Sequence, residues 1–77
     1  MAQDLATFIV KSIVINPELV SVVESERHGR RVLRIRVGQK DMARVMGSRG
    51  LVIRAIRTIV LSSDPDIAEV IVDDPEA

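Results

Sequence analysis

The apolar residues of this chain change period several times from one end to the other, and each change marks an element. Leu5, Phe8, Ile9 and Ile13 recur at i, i+3, i+4 spacing, with Ser12 on the same side. That spacing predicts a first helix with Phe8 in its apolar face, capped by Asp4. It should fade by Asn16, because Pro17 biases its predecessor out of the α region. Residues 19–26 read as a strand, and Arg27-His28-Gly29-Arg30 as a hairpin turn in which the glycine takes a positive φ. Residues 31–37 then alternate cleanly. Val32, Arg34 and Arg36 point one way, and Leu33, Ile35 and Val37 the other. One face of that strand is expected to meet helices and the other solvent.

Gly38 ends the strand. A short helix over residues 40–46 puts Met42, Val45 and Met46 on one stripe, with Lys40 and Arg44 elsewhere. After a glycine-bracketed bend, a longer helix is predicted to run to about Leu61. Its apolar set is broad (Val52, Ile53, Ala55, Ile56, Ile59, Val60), with Arg54, Arg57 and Thr58 on the polar side and Leu61 toward it. Pro65 forbids continuation. Residues 67–73 make a last strand, and residues 74–77 read as a fraying acidic tail. The order is α-β-β-α-α-β, an α+β fold with a three-stranded sheet covered by helices on one face.

Composition narrows the function classes. Seventy-seven residues are enough for one small domain, which buries about 60% of the surface its unfolded chain exposes. No apolar run approaches the ~20 residues that span a bilayer, and no signal peptide is legible. With no cysteine there is no disulfide framework, so cytoplasm is the expected compartment. Net charge is zero, yet its distribution is lopsided. Ten basic residues and the single acid Asp41 lie between Arg27 and Arg57, a block of +9 that the two flanks cancel. Because screening cuts off charge beyond about 8–10 Å, an anionic polymer would feel that block and not the flanks. Arg34 and Arg36 read equally as members of a plain solvated strand face.

The bend between the two later helices is the most specific feature. Val45-Met46-Gly47-Ser48-Arg49-Gly50-Leu51-Val52-Ile53 sets two glycines around a polar pair, with a helix N-terminus directly behind. Glycine permits positive φ and close approach. The amides and positive dipole end of the helix suit a phosphate, and Arg49 adds a full charge. A glycine pair alone reads as a tight helix-to-helix turn. The longer run resembles the Val-Ile-Gly-x-x-Gly-x-x-Ile signature of the K-homology (KH) family, matched at Val45, Gly47, Gly50 and Ile53, with Met46 replacing the usual Ile. The element order is similar to the type II (prokaryotic) KH fold. The resemblance extends over nearly the whole chain to the small bacterial single-KH proteins of the KhpA type. It is carried by Asn16-Pro17, Asp41-Met42 and Ala55-Ile56-Arg57-Thr58 as well as the bend.

That resemblance implies a single-stranded RNA-binding protein, a chaperone or post-transcriptional regulator. It also implies a homodimer, or a heterodimer with a larger KH partner of the KhpB type, tied to cell shape and cell-wall biogenesis. A ribosome-associated role is a further alternative, as is a module that only dimerises or docks. In the implied groove Gly47, Ser48, Arg49 and Gly50 hold phosphates, and Lys40, Arg44 and Arg54 make outer phosphate contacts. Leu51, Val52, Val45 and Ile35 are candidates for an apolar floor, with core packing the alternative for the last two. The usual family loop is Gly-Lys-Gln-Gly-Arg; here the cation sits inside the loop and the Arg after it is lost. Base stacking on rings is not available, since Phe8 is the one aromatic residue.

Catalysis is poorly supplied. His28 falls in the hairpin turn, and no histidine or lysine is placed to activate Ser48. The bend lacks the spacing and the Lys-Ser/Thr of a phosphate-binding P-loop. Asp64, Asp66, Asp73 and Asp74 lack metal-ligand spacing. Neither a cofactor, a metal nor an enzyme activity is expected.

Overall fold

The computed structural model describes residues 2–73. Its order is α1 (Ala2–Ile13), β1 (Ser21–Arg27), β2 (Arg30–Arg36), α2 (Met42–Met46), α3 (Leu51–Ser63) and β3 (Glu69–Val72), with short 3-10 turns before β1, α2 and α3. This is the α-β-β-α-α-β order read from the sequence. The tail beyond Asp73 lies outside the described residues.

β2 is the central strand. It pairs antiparallel with β1 through the hairpin and parallel with β3, whose connection passes through both α2 and α3. The hairpin turn puts both His28 (φ 54°) and Gly29 (φ 76°) in the left-handed region, as a two-residue turn of the I′ kind requires. Leu33, Ile35 and Val37 are buried, with Val22, Ile53, Ile56, Val60 and Val70, in one core between sheet and helices. The alternation along β2 is thus realised on the side that was expected to meet helices.

The opposite face follows the expectation less closely. Arg34 and Arg36 are exposed, but Val32 is buried, at 2% exposure. It lies between Ser25 on β1 and Glu69 on β3, with Arg30 and Arg34 at the adjacent positions on its own side of β2. Long arginine stems cover apolar surface while their heads stay in water, so a small side chain in mid-sheet need not face a helix to be buried.

α1 also departs from the expectation. It begins before Asp4, which lies in the first turn and does not cap it. The buried stripe is Ala2, Ala6 and Val10, while Leu5, Ile9 and Ile13 flank it and Phe8 is 71% exposed. Two residues beyond Ala6 is a rotation of about 200°, so once the alanines face inward Phe8 must face out. Gln3 fixes this orientation, its Nε2 donating to the Val22 carbonyl of β1 at 2.7 Å. In α3, Ile53, Ile56 and Val60 carry the burial, Ile59 and Ala55 are exposed, and Leu61 packs partly against the core.

Candidate nucleic-acid interface

The bend between α2 and α3 is built by three residues within a run of four, Gly47, Arg49 and Gly50, that leave helical geometry. Gly47 has φ 72° and ψ 174°. A Cβ there would fall 2.4 Å from Val52 Cγ2 and 2.8 Å from the Val52 backbone nitrogen, so only glycine fits. Arg49 (φ 56°, ψ 25°) and Gly50 (φ 73°, ψ 21°) are both left-handed. For Gly50 the constraint is the backbone alone, since a Cβ would meet nothing closer than 3.8 Å. For Arg49, a residue with a Cβ, that conformation costs about 1–2 kcal/mol. Strain of this kind tends to be retained where a site needs it.

The hydrogen bonds of the bend leave part of its backbone open. The Gly47 amide donates to Ala43 and closes α2, and the Gly50 amide donates to the Gly47 carbonyl at 3.2 Å. The Leu51 amide donates to Ser48. Among the described residues, the Ser48 and Arg49 amides have no backbone or side-chain acceptor. Both residues are exposed, and they directly precede the positive end of a 13-residue helix.

The other residues expected at the site divide into two groups. Lys40 and Arg44 are exposed on the segment leading into the bend, and Arg54 is exposed in the first turn of α3. Leu51 is 58% exposed and Val52 is half-buried against Gly47, so both remain available to a ligand. Val45 and Ile35 do not. Each is wholly buried in the core, and neither can be the floor of a groove. Ile35 lies on the helix-facing side of the central strand, where periodicity already put it. Met46 reaches the surface at 38% exposure, at the edge of the bend.

Asp41 is the residue that sequence reasoning missed. It is buried, its Oδ1 accepts the Ile15 amide at 2.9 Å, and its Oδ2 accepts the Asn16 amide at 3.0 Å. These bonds hold its carboxyl below the usual carboxylate range; burial opposes them, and Arg44 nearby assists. The effect is to tie the chain after α1 to the start of α2, and so to fix the element that presents the bend. The only signal in the sequence was one acid inside a block of ten bases, directly ahead of a short helix. Elsewhere the acids neutralise arginines. Arg31 is held by Glu24, Asp64 (3.3 Å) and Asp66 (3.8 Å), and Arg34 by Asp73 (2.9 Å). Among the described residues no group of acids or histidines is arranged to hold a metal, and no helix is long and apolar enough to cross a membrane.

With the bend, the element order and the mixed sheet in place, the family comparison is decisive. The family model of the KhpA/KhpB KH domain matches residues 3–63. The chain belongs to that family. A KhpA/KhpB-type protein of Treponema pallidum, named "RNA-binding protein KhpA", is 33% identical over 63 residues, covering 82% of this chain and 79% of the relative. Proteins of the same name from Caldanaerobacter subterraneus (37% over 57 residues, 74% and 76% covered) and Borreliella burgdorferi (41% over 59 residues, 74% and 70% covered) are similar. No solved structure matches significantly. Two segments that carry the KhpA likeness, Asn16-Pro17 and Asp41-Met42, are the two that the Asp41 carboxylate joins.

Proposed function

We propose that this KH domain binds single-stranded RNA and grips its sugar-phosphate backbone at the Gly47–Gly50 bend. The observation that supports this most is the pair of adjacent unpartnered amides, Ser48 and Arg49, at the N-terminal end of α3. Phosphate oxygens would accept from those amides, with the Arg49 guanidinium adding charge. Lys40, Arg44 and Arg54 extend the positive field on either side, and Leu51 and Val52 supply aliphatic contact to a sugar or base. Such a clamp reads backbone and not sequence, and for the KH loop it spans about four nucleotides. KhpA-named relatives support RNA as the ligand. By the same membership the chain acts in the cytoplasm without catalysis, as an RNA chaperone or post-transcriptional regulator in a system serving cell shape and wall growth.

Fluorescence anisotropy of a short labelled single-stranded RNA tests the clamp. Three or four neutralised phosphates give log K against log salt a slope of about −2 to −3. The paired variant Ser48→Asp with Arg49→Asp is expected to abolish binding while the circular dichroism spectrum stays native. Unchanged affinity in that variant would remove the loop from the site.

A second reading, association with another copy or a larger KH partner of the KhpB type, draws on exposed apolar groups on the helices. Phe8, Leu51 and Ile59 are about half or more exposed. Pairing would also raise affinity through two linked grooves. Sedimentation velocity with and without RNA separates the readings: a dimer that forms without RNA favours association as an independent property.

A further inference from the structure

The face of the sheet turned away from the helices carries three adjoining hollows. The first, of about 240 Å³, is lined by Ser21, Val23, Ser25, Arg34, Arg36 and Asp73. The second, about 320 Å³, shares Ser25, Arg34 and Asp73 and adds Glu26, Arg27, Val32 and Ile71. The third, about 250 Å³, shares Arg27 and Val32 and ends at Arg30 beside the hairpin. Together they form one track running along the central strand from Arg36 to Arg30. At about 3.3 Å per residue and two residues per side-chain step, that is a span of roughly 20 Å.

We infer that this track is a second contact surface for the RNA backbone, separate from the Gly47–Gly50 bend. Four arginines, Arg27, Arg30, Arg34 and Arg36, stand along it, with Asp73 shared by the first two hollows and Glu26 and Glu69 lining the second and third. Among the described residues Arg27 and Arg30 have no carboxylate within salt-bridge distance, and Arg36 reaches Asp73 only at 3.9 Å. Arg34 shows what the track accepts: its Nε and Nη2 both donate to one carboxylate oxygen of Asp73, at 3.2 and 2.9 Å. A phosphate oxygen presents the same acceptor. The floor between the charges is aliphatic (Val23, Val32, Ile71) with serine hydroxyls at its edge, so it suits sugars and phosphates and offers no ring for reading bases.

A linear polyanion fits this arrangement better than a compact anion does, because the cations are strung along a strand. The chain leads from the end of the track toward the basic residues before the bend. Lys40 follows Arg36 by four residues, a reach of at most about 14 Å. The inference rests on the RNA reading for its ligand, but on different residues for its contacts.

The test compares single-stranded RNAs of 5 and 14 nucleotides on the full chain by anisotropy. Parent protein is expected to bind the 14-mer at least tenfold more tightly than the 5-mer. Arg30→Gln with Arg36→Gln should leave the 5-mer affinity intact, weaken the 14-mer about 5- to 20-fold and flatten its salt slope by about 1.4, the value for two lost phosphates. Asp73→Asn, which frees Arg34 and Arg36, should tighten the 14-mer and leave the 5-mer unchanged. The loop variant should lose the 5-mer but keep measurable salt-dependent binding of the 14-mer. An arginine variant with parental 14-mer affinity and slope overturns the second surface, whatever the loop variant does. Poly-glutamate displacing the 14-mer as effectively as unlabelled RNA would also overturn it, since the face would then be a dock for acidic protein.

Discussion

Gly47 and Gly50 belong to the same motif but are required for different reasons. At Gly47 a side chain would strike the next helix. At Gly50 there is space, and only the left-handed backbone favours glycine. Gly47→Ala is therefore expected to cost about 2 kcal/mol or more, because the Val52 backbone must move. Gly50→Ala should cost about 1–2 kcal/mol, the ordinary penalty for that region. Paired urea melts measure the difference. Equal losses would mean that α3 shifts freely away from the bend. Arg49 already bears the left-handed penalty without a glycine's exemption. Arg49→Gly should raise stability by up to about 1–2 kcal/mol while weakening RNA binding, a separation that stability and anisotropy measurements on one variant can show.

Among elements, the decisive contact is between the chain after α1 and the start of α2, made by Asp41. Its carboxyl holds a proton less tightly in the folded chain than its ordinary value of 3.8 implies. A carboxyl so depressed contributes stability that is present above its unfolded pKa and lost as pH falls through its folded one. The window therefore lies below about pH 4. Asp41→Asn should lower the thermal midpoint near neutral pH by roughly 5–10 °C, since the NH2 that replaces one carboxylate oxygen cannot accept the backbone amide which that oxygen held. It should also flatten the fall of that midpoint on acidification. A variant that melts with the parent's pH profile would show that the bonds are not maintained in solution. The hairpin gives a stabilising counterpart: His28 occupies a left-handed position that asparagine tolerates better, so His28→Asn should raise the midpoint by a few degrees.

For the molecule as a whole, one core serves both layers, and stability for 77 residues is on the order of 4–11 kcal/mol. Ile35→Ala, at the centre of that core, should cost about 2–5 kcal/mol and leave only a thin margin. RNA affinity per folded molecule should be unaffected, because Ile35 does not reach the surface. The basic block of the sequence also resolves only at this scale. The fold sorts it into Lys40, Arg44, Arg49 and Arg54 around the bend, Arg27, Arg30 and Arg36 on the outer sheet face, Arg31 and Arg34 paired with acids from the flanks, and Arg57 reaching the Val70 carbonyl. The neutral total charge thus conceals a positive surface around the bend, a partly compensated one on the outer sheet face, and arginines paired with acids.

Much of this was legible in one dimension because the relevant physics is local. The period of two in residues 31–37 chose the core face of β2, Pro17 and Pro65 bounded helices, and paired glycines marked the bend, since backbone preference and alternation need no partner to act. The direction in which α1 faces was not legible. Phe8 is the more hydrophobic choice, but close approach to the sheet favours Ala2 and Ala6, and only packing decides that contest. The burial of Val32, the exclusion of Val45 and Ile35 from any groove, and the role of Asp41 likewise depend on what lies opposite them, across gaps of up to 26 residues. The amino-acid order alone determined the elements and the candidate loop. Tertiary structure decided which side chains remain free to meet a ligand, because exposure is a property of neighbours that the chain supplies only when folded.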